Sequence, residues 1–219
     1  MKRETTRQKP MGMSTYQLTA VAILVALIVM MTITGIGYIP LEPFKLTILT
    51  LPVAIGAAVC GVKAGLILGV AFGLSSFALG LFGLDALGAV LISLGWKQAV
   101  FLFITCVVPR VACGVVPALL HKLLKKKNRT LADAVTCGAV ALINTGLFLG
   151  FFWIFFFSEL QGNAKVAEVM GGTIVDNFGL FFMLFAGWNA LIEVAINLVL
   201  GTAICRALQP TARRLKLDE

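Results

Sequence analysis

The chain has 219 residues, of which 59% are hydrophobic and only 13% charged, with a mean hydropathy of +0.99. Soluble domains run at about 45–50% apolar and about 25% charged, so this composition excludes an ordinary soluble enzyme and implies a single integral membrane domain. The net charge of +8 sits in basic clusters outside the apolar runs, with no interleaved aromatics, which fits membrane topology and lipid headgroups and excludes a nucleic-acid groove.

In chain order, residues 1–16 form a basic segment carrying Lys2, Arg3, Arg7 and Lys9. The apolar run Gln17–Ile36 is too long for a signal-peptide core and no A-x-A site follows it, so it reads as a retained span. Ala22 and Ala26 lie one turn apart on it, a spacing that lets another helix come close. Gly37–Pro43 has two prolines and reads as an extended outside loop. The second apolar run, Phe44–Cys60, is short; it is expected to begin irregularly and to bend at Pro52. Only Gly61-Val62-Lys63 separates it from the third, Ala64–Phe82, so the two form a tight helical hairpin. Gly61, Gly65, Gly69 and Gly73 repeat every four residues into that third run, a stripe for close helix packing.

Gly83–Gly95 is a long apolar outside loop. The fourth run, Trp96–Leu120, leads into a basic loop with Lys122, Lys125, Lys126, Lys127 and Arg129, where the single histidine, His121, is expected to be solvated. The fifth run is Ala134–Phe157. Ser158–Asn177, with Glu159, Lys165, Glu168, Gly171-Gly172 and Asp176, reads either as a lid or as a plain connector. The sixth run, Phe178–Leu208, precedes a basic tail, 209–219. The expected fold is therefore all-α: a six-helix transmembrane bundle over 17–208 with both termini cytoplasmic. On that topology the cytoplasmic segments carry every Lys and Arg except Lys45, Lys97, Lys165 and Arg110, as the positive-inside rule requires.

Arg110 is the exception that points to a site. Its guanidinium cannot lose its charge, and placing it at mid-membrane costs at least ~2.5–3.5 kcal/mol. It lies about 19 Å in from Lys97 at 1.5 Å per helical residue. The same counting puts Asn144, Asn189 and Glu193 in one depth band with it, on three different helices. Trp188 beside Asn189 adds a ring at that level. Such a band is what a polar binding site in an apolar bundle looks like in sequence. Alternatively, Arg110 and Glu193 neutralise each other, Asn144 is interhelical glue and Trp188 faces lipid.

Enzyme signatures such as HExxH, a Walker motif or GxSxG are missing. The five cysteines form no CxxC and read as packing residues. No cofactor or metal is expected, and any uphill transport must draw its energy from elsewhere.

Several segments carry a family resemblance. Lys45-Leu46-Thr47-Ile48-Leu49-Thr50-Leu51-Pro52, Gly61-Val62-Lys63-Ala64-Gly65 and Phe72-Gly73-Leu74-Ser75-Ser76-Phe77 are similar to the pantothenate-type branch of the S components of energy-coupling factor (ECF) vitamin transporters. Val108-Pro109-Arg110-Val111-Ala112-Cys113-Gly114 resembles that branch's fourth-helix PR-x-x-x-G pattern, and Asn189 to Glu193 its sixth-helix N-x-x-x-E pattern. The resemblance spans nearly the whole chain. It implies a substrate-binding subunit in a bacterial cell membrane that captures a water-soluble vitamin. Pantothenate is favoured; hydroxymethylpyrimidine, folate, riboflavin and cobalamin stay open. Substrate contacts would come from Arg110, Asn144, Trp188, Asn189 and Glu193, with the loop between the first two spans as a lid. Ala22 and Ala26 would dock on a transmembrane scaffold subunit energised by two cytoplasmic ATPases. A solitary secondary carrier and a small membrane-embedded enzyme are the competing classes.

Overall fold

The computed structural model describes residues 13–41, 44–169 and 177–215. The basic residues Lys2, Arg3, Arg7, Lys9 and Lys216, the pair Glu42-Pro43, Gly171-Gly172 and Asp176 lie outside them.

The chain is predominantly helical. Helix α1 (Thr15–Ile33) starts at a capping box: Ser14 Oγ accepts from the Gln17 amide, and the Gln17 side chain accepts from the Ser14 amide, which satisfies two orphan donors of the first turn. A two-stranded antiparallel ribbon follows, β1 (Tyr38–Leu41) and β2 (Phe44–Thr47), with Tyr38 paired to Thr47. Then come α2 (Thr50–Val59), α3 (Val62–Leu81), α4 (Ala86–Ser93), α5 (Trp96–Leu124), α6 (Arg129–Gly162), α7 (Ala164–Val169), α8 (Phe178–Ile196), a π-turn (Asn197–Gly201) and α9 (Thr202–Arg214).

Among the described residues, five helices are long and apolar enough to cross a membrane: Thr15–Ile33, Val62–Leu81, Trp96–Leu124, Arg129–Glu159 and Gly187–Arg214. The second predicted span differs from expectation. Its first residues form strand β2, and α2 has only 10 residues, about 15 Å of helix against a hydrocarbon core of about 30 Å. Pro52 does not bend it, because it sits in the first turn, where its missing amide hydrogen has no partner to lose. Nine-tenths of α2 is buried, Leu51 alone being partly exposed. A helix this short is tolerated at this position because protein surrounds it. Gly61, at φ +83, makes the tight turn into α3.

The glycine stripe has a structural explanation. A Cβ on Gly65 would lie 2.2 Å from the Gly114 carbonyl oxygen, and one on Gly69 would lie 2.5 Å from that of Arg110. Helices α3 and α5 therefore meet backbone to backbone, with no room for a side chain between them. This contact sets the height and rotation of α5, and with it the place of Arg110.

The connections after α3 and α6 contain small structures. Asp85 caps α4 by accepting from the Gly88 amide at 2.9 Å, and α7 buries Val166 completely. Together they cover an aromatic cluster in which Phe152 stacks on Phe181.

At the other end the structure corrects the reading of His121. It is buried, with Nε2 at 2.9 Å from Asp133 Oδ1, and Gln209 donates to the other oxygen of the same carboxylate. This cluster ties the end of α5 and the start of α6 to α9. Asp133→Ala would leave the buried His121 and the half-buried Gln209 without their acceptor, at a cost of about 1–3 kcal/mol for the buried group. The expected outcome is a lower melting temperature in detergent with ligand affinity unchanged, checked by thermal unfolding and calorimetry on the same sample.

Candidate ligand-binding site

The local sequence explains how Arg110 is held. Pro109 has no amide hydrogen, so the carbonyl of Thr105, four residues earlier, loses its helical donor. Arg110 Nη1 donates to that carbonyl at 3.0 Å. The proline creates an unmet acceptor and the next residue meets it. The guanidinium also lies over two rings, 4.3 Å from the Phe148 centroid and 5.3 Å from that of Phe72. Cation–π contacts of this kind are worth about 0.5–2 kcal/mol each and fix the plane of the group.

These contacts leave the charge largely unmet. Arg110 is 7% exposed, and its Nε has no hydrogen-bond partner. Among the described residues, no carboxylate lies within 4.0 Å of the guanidinium. Arg110 and Glu193 therefore form no direct ion pair in this structure, although the charge of Arg110 reaches the Glu193 carboxyl.

Glu193 is nevertheless close by. It is 6% exposed; Thr145 Oγ1 donates to its Oε2 at 3.3 Å, Oε1 has no partner, and Thr50 and Asn144 adjoin the carboxyl. Asn144 is likewise buried, with its Oδ1 unpartnered, and stands one helical turn before Phe148. The structure thus gathers Arg110, Asn144 and Glu193 from α5, α6 and α8 around one region.

Two predicted residues sit differently. Trp188 is 80% exposed and points away from the cluster, and Asn189 is half-buried. Both follow Gly187, whose backbone is non-helical and breaks α8 at that point. Glu193 follows the same break, so what separates Trp188 from it is helix face: five residues apart, the two lie about 140° round the helix.

Asn197 was missed by the sequence reading. It is fully buried, and its Nδ2 donates to Thr50 Oγ1 and to the Glu193 carbonyl, both at 2.9 Å. It opens the π-turn, a feature that recurs at functional sites. The signal was present: Asn189, Glu193 and Asn197 recur every four residues, on one helical face.

The ribbon covers this region from one end. Tyr38 in β1 bonds Ser76 Oγ at 3.2 Å. Burial pushes its phenol above the ordinary range, the Ser76 bond and the Arg110 charge acting weakly against it. It remains a neutral hydrogen-bonding group at physiological pH.

A separate surface runs along α1. Ala22 and Ala26 are exposed there and, with Leu18, Val25, Val29 and Ile67 of α3, line an open, almost wholly apolar groove of about 670 Å³. All five cysteines are buried and free, and among the described residues no cluster of three or more His, Cys, Asp or Glu could hold a metal.

The model of the ECF transporter substrate-specific component family matches residues 16–205. The chain belongs to this family. It is a multi-pass membrane protein and a transport subunit, not an enzyme. The chain is also 28% identical over 172 residues to the pantothenic acid transporter PanT of Lactococcus lactis subsp. cremoris, an alignment covering 76% of this chain and 79% of that protein.

Proposed function

We propose that this ECF substrate-specific component is a high-affinity binding subunit for pantothenate in a bacterial cell membrane. The observation that carries the proposal is Arg110: a buried guanidinium with a carbonyl and two rings around it but, among the described residues, no carboxylate within reach. A ligand carboxylate would supply the missing anion. Pantothenate has that group, together with an amide and two hydroxyls for Asn144, Glu193 and Asn189. The likeness to a pantothenic acid transporter supports the same choice over riboflavin, folate, cobalamin or a pyrimidine.

In this reading α2 counts as a sixth, incomplete crossing, and both termini face the cytoplasm, with the Lys122–Arg129 cluster on that side. The β1–β2 ribbon is the lid over the ligand. The α1 groove around Ala22 and Ala26 is the face that docks on a transmembrane scaffold subunit, with two cytoplasmic ATPases supplying the energy.

The test is calorimetry on the purified protein against a panel of these vitamins. Pantothenate is expected to bind most tightly. Tighter binding of any other vitamin, or no binding of pantothenate, would refute the assignment.

Docking has its own test. Ala26→Trp would fill the groove without touching the Arg110 region. Binding of pantothenate should change by no more than about twofold, as for a typical surface substitution, while co-purification of ATPase subunits and cellular uptake should be lost. Retention of both would place the docking face elsewhere.

A further inference from the structure

The unpartnered buried atoms around the site sort by chemistry. On α5 the unpartnered atoms are Arg110 Nε, a donor, and Thr105 Oγ1, a hydroxyl that can donate or accept. On α6, α8 and the π-turn they are Glu193 Oε1, Asn144 Oδ1 and Asn197 Oδ1, all acceptors. Those three residues are 6%, 6% and 0% exposed.

The Asn197 amide orientation is fixed by its surroundings. Its Nδ2 faces the Glu193 carbonyl, which can only accept, so Oδ1 is necessarily the atom left over. Thr145 Oγ1 donates to the other oxygen of the Glu193 carboxylate, and Thr50 and Asn144 stand beside the carboxyl without filling Oε1. Three buried acceptors without donors are an unusual concentration, because buried polar groups are nearly always paired.

We infer that Glu193, Asn144 and Asn197 form an acceptor pole that recognises hydrogen-bond donors on the ligand, hydroxyl or amide N–H groups set several bonds from its carboxylate, with Asn197 as a specificity-determining residue. This rests on the proposed carboxylate site at Arg110. The ligand class that follows is a hydroxylated acid: an anionic end for α5 and a donor-bearing end for α6, α8 and the π-turn. Two of the three acceptors are neutral amide oxygens on separate elements, which suits donors spread along a chain better than the single point charge of an ammonium group. A pole built this way rejects an analogue without the donors, because the acceptors would then be buried unmet.

Calorimetry on the full-length protein with three probes tests this: pantothenate, its analogue lacking both hydroxyls, and β-alanine, which pairs a carboxylate with an ammonium. The native protein should prefer pantothenate over the dehydroxylated acid by at least about tenfold. Asn197→Ala should bring that ratio to within about threefold while leaving affinity for the dehydroxylated acid unchanged. A merely structural role for Asn197 would weaken both ligands together and keep the ratio. If Asn197→Ala does not fold, the ratio in Glu193→Gln decides, and it should fall in the same way. A ratio that survives in the variant, a native protein indifferent to the hydroxyls, or β-alanine binding as tightly as pantothenate would each overturn the inference. A native protein that binds neither acid would overturn the carboxylate site itself, a different outcome from indifference to hydroxyls.

Discussion

Arg110→Ala is expected to abolish pantothenate binding while the protein still inserts and folds. Removing one partner of a buried, hydrogen-bonded charge pair costs about 2–5 kcal/mol or more, which is a roughly 30-fold loss of affinity at the least. The fold should tolerate the change because, among the described residues, Arg110 has no carboxylate to abandon. What the fold loses is one bond to the Thr105 carbonyl and the contacts with Phe72 and Phe148, offset by the relief of a buried charge. Calorimetry and size-exclusion chromatography of the same preparation separate the two effects. Arg110→Lys should not restore full affinity, since an ammonium neither stacks between rings nor presents a planar fork of donors. An aggregated variant, or one that binds like the native protein, would assign Arg110 a structural role instead.

Gly69→Ala is expected to damage folding and binding together. The added methyl carbon would sit 2.5 Å from the Arg110 carbonyl oxygen and 2.9 Å from the Val111 Cα, backbone atoms that cannot swing aside. Helices α3 and α5 must separate or slide. Overpacking typically costs about 1–3 kcal/mol, and the atoms displaced are those that carry the guanidinium. Gly146→Ala is the control: nothing lies within 4 Å of its would-be Cβ, and alanine in a helix interior is favoured over glycine by about 1 kcal/mol. Thermal unfolding in detergent should show a lower midpoint for Gly69→Ala and an unchanged or higher one for Gly146→Ala. Equal behaviour of the two would mean that the α3–α5 contact does not position the site.

Part of this was legible in the sequence because the membrane makes certain residues expensive. Arg110 stood out by its cost, and the glycine stripe by its period of four. The spacing of Asn144 and Glu193 placed them at the depth of Arg110, and the structure brings all three around one region. The misreadings have equally physical causes. Within an apolar run, the strand Phe44–Thr47 and the short, enclosed helix α2 look like one span, because hydropathy does not distinguish burial in protein from burial in lipid. His121 looked solvated because its partners, Asp133 and Gln209, come from other helices. Trp188 shares the depth of the site but not its helix face, because it lies five residues, about 140° of turn, before Glu193. Asn197 went unnoticed because a buried asparagine in a membrane helix is usually glue between helices.

The most direct test of the account is an experimental structure of the protein with pantothenate bound. The account predicts the ligand carboxylate within about 3 Å of the Arg110 guanidinium, the distance of a charge-assisted hydrogen bond, with the hydroxyl end toward Glu193, Asn144 and Asn197. A ligand bound with its carboxylate elsewhere, and Arg110 paired with Glu193, would contradict it.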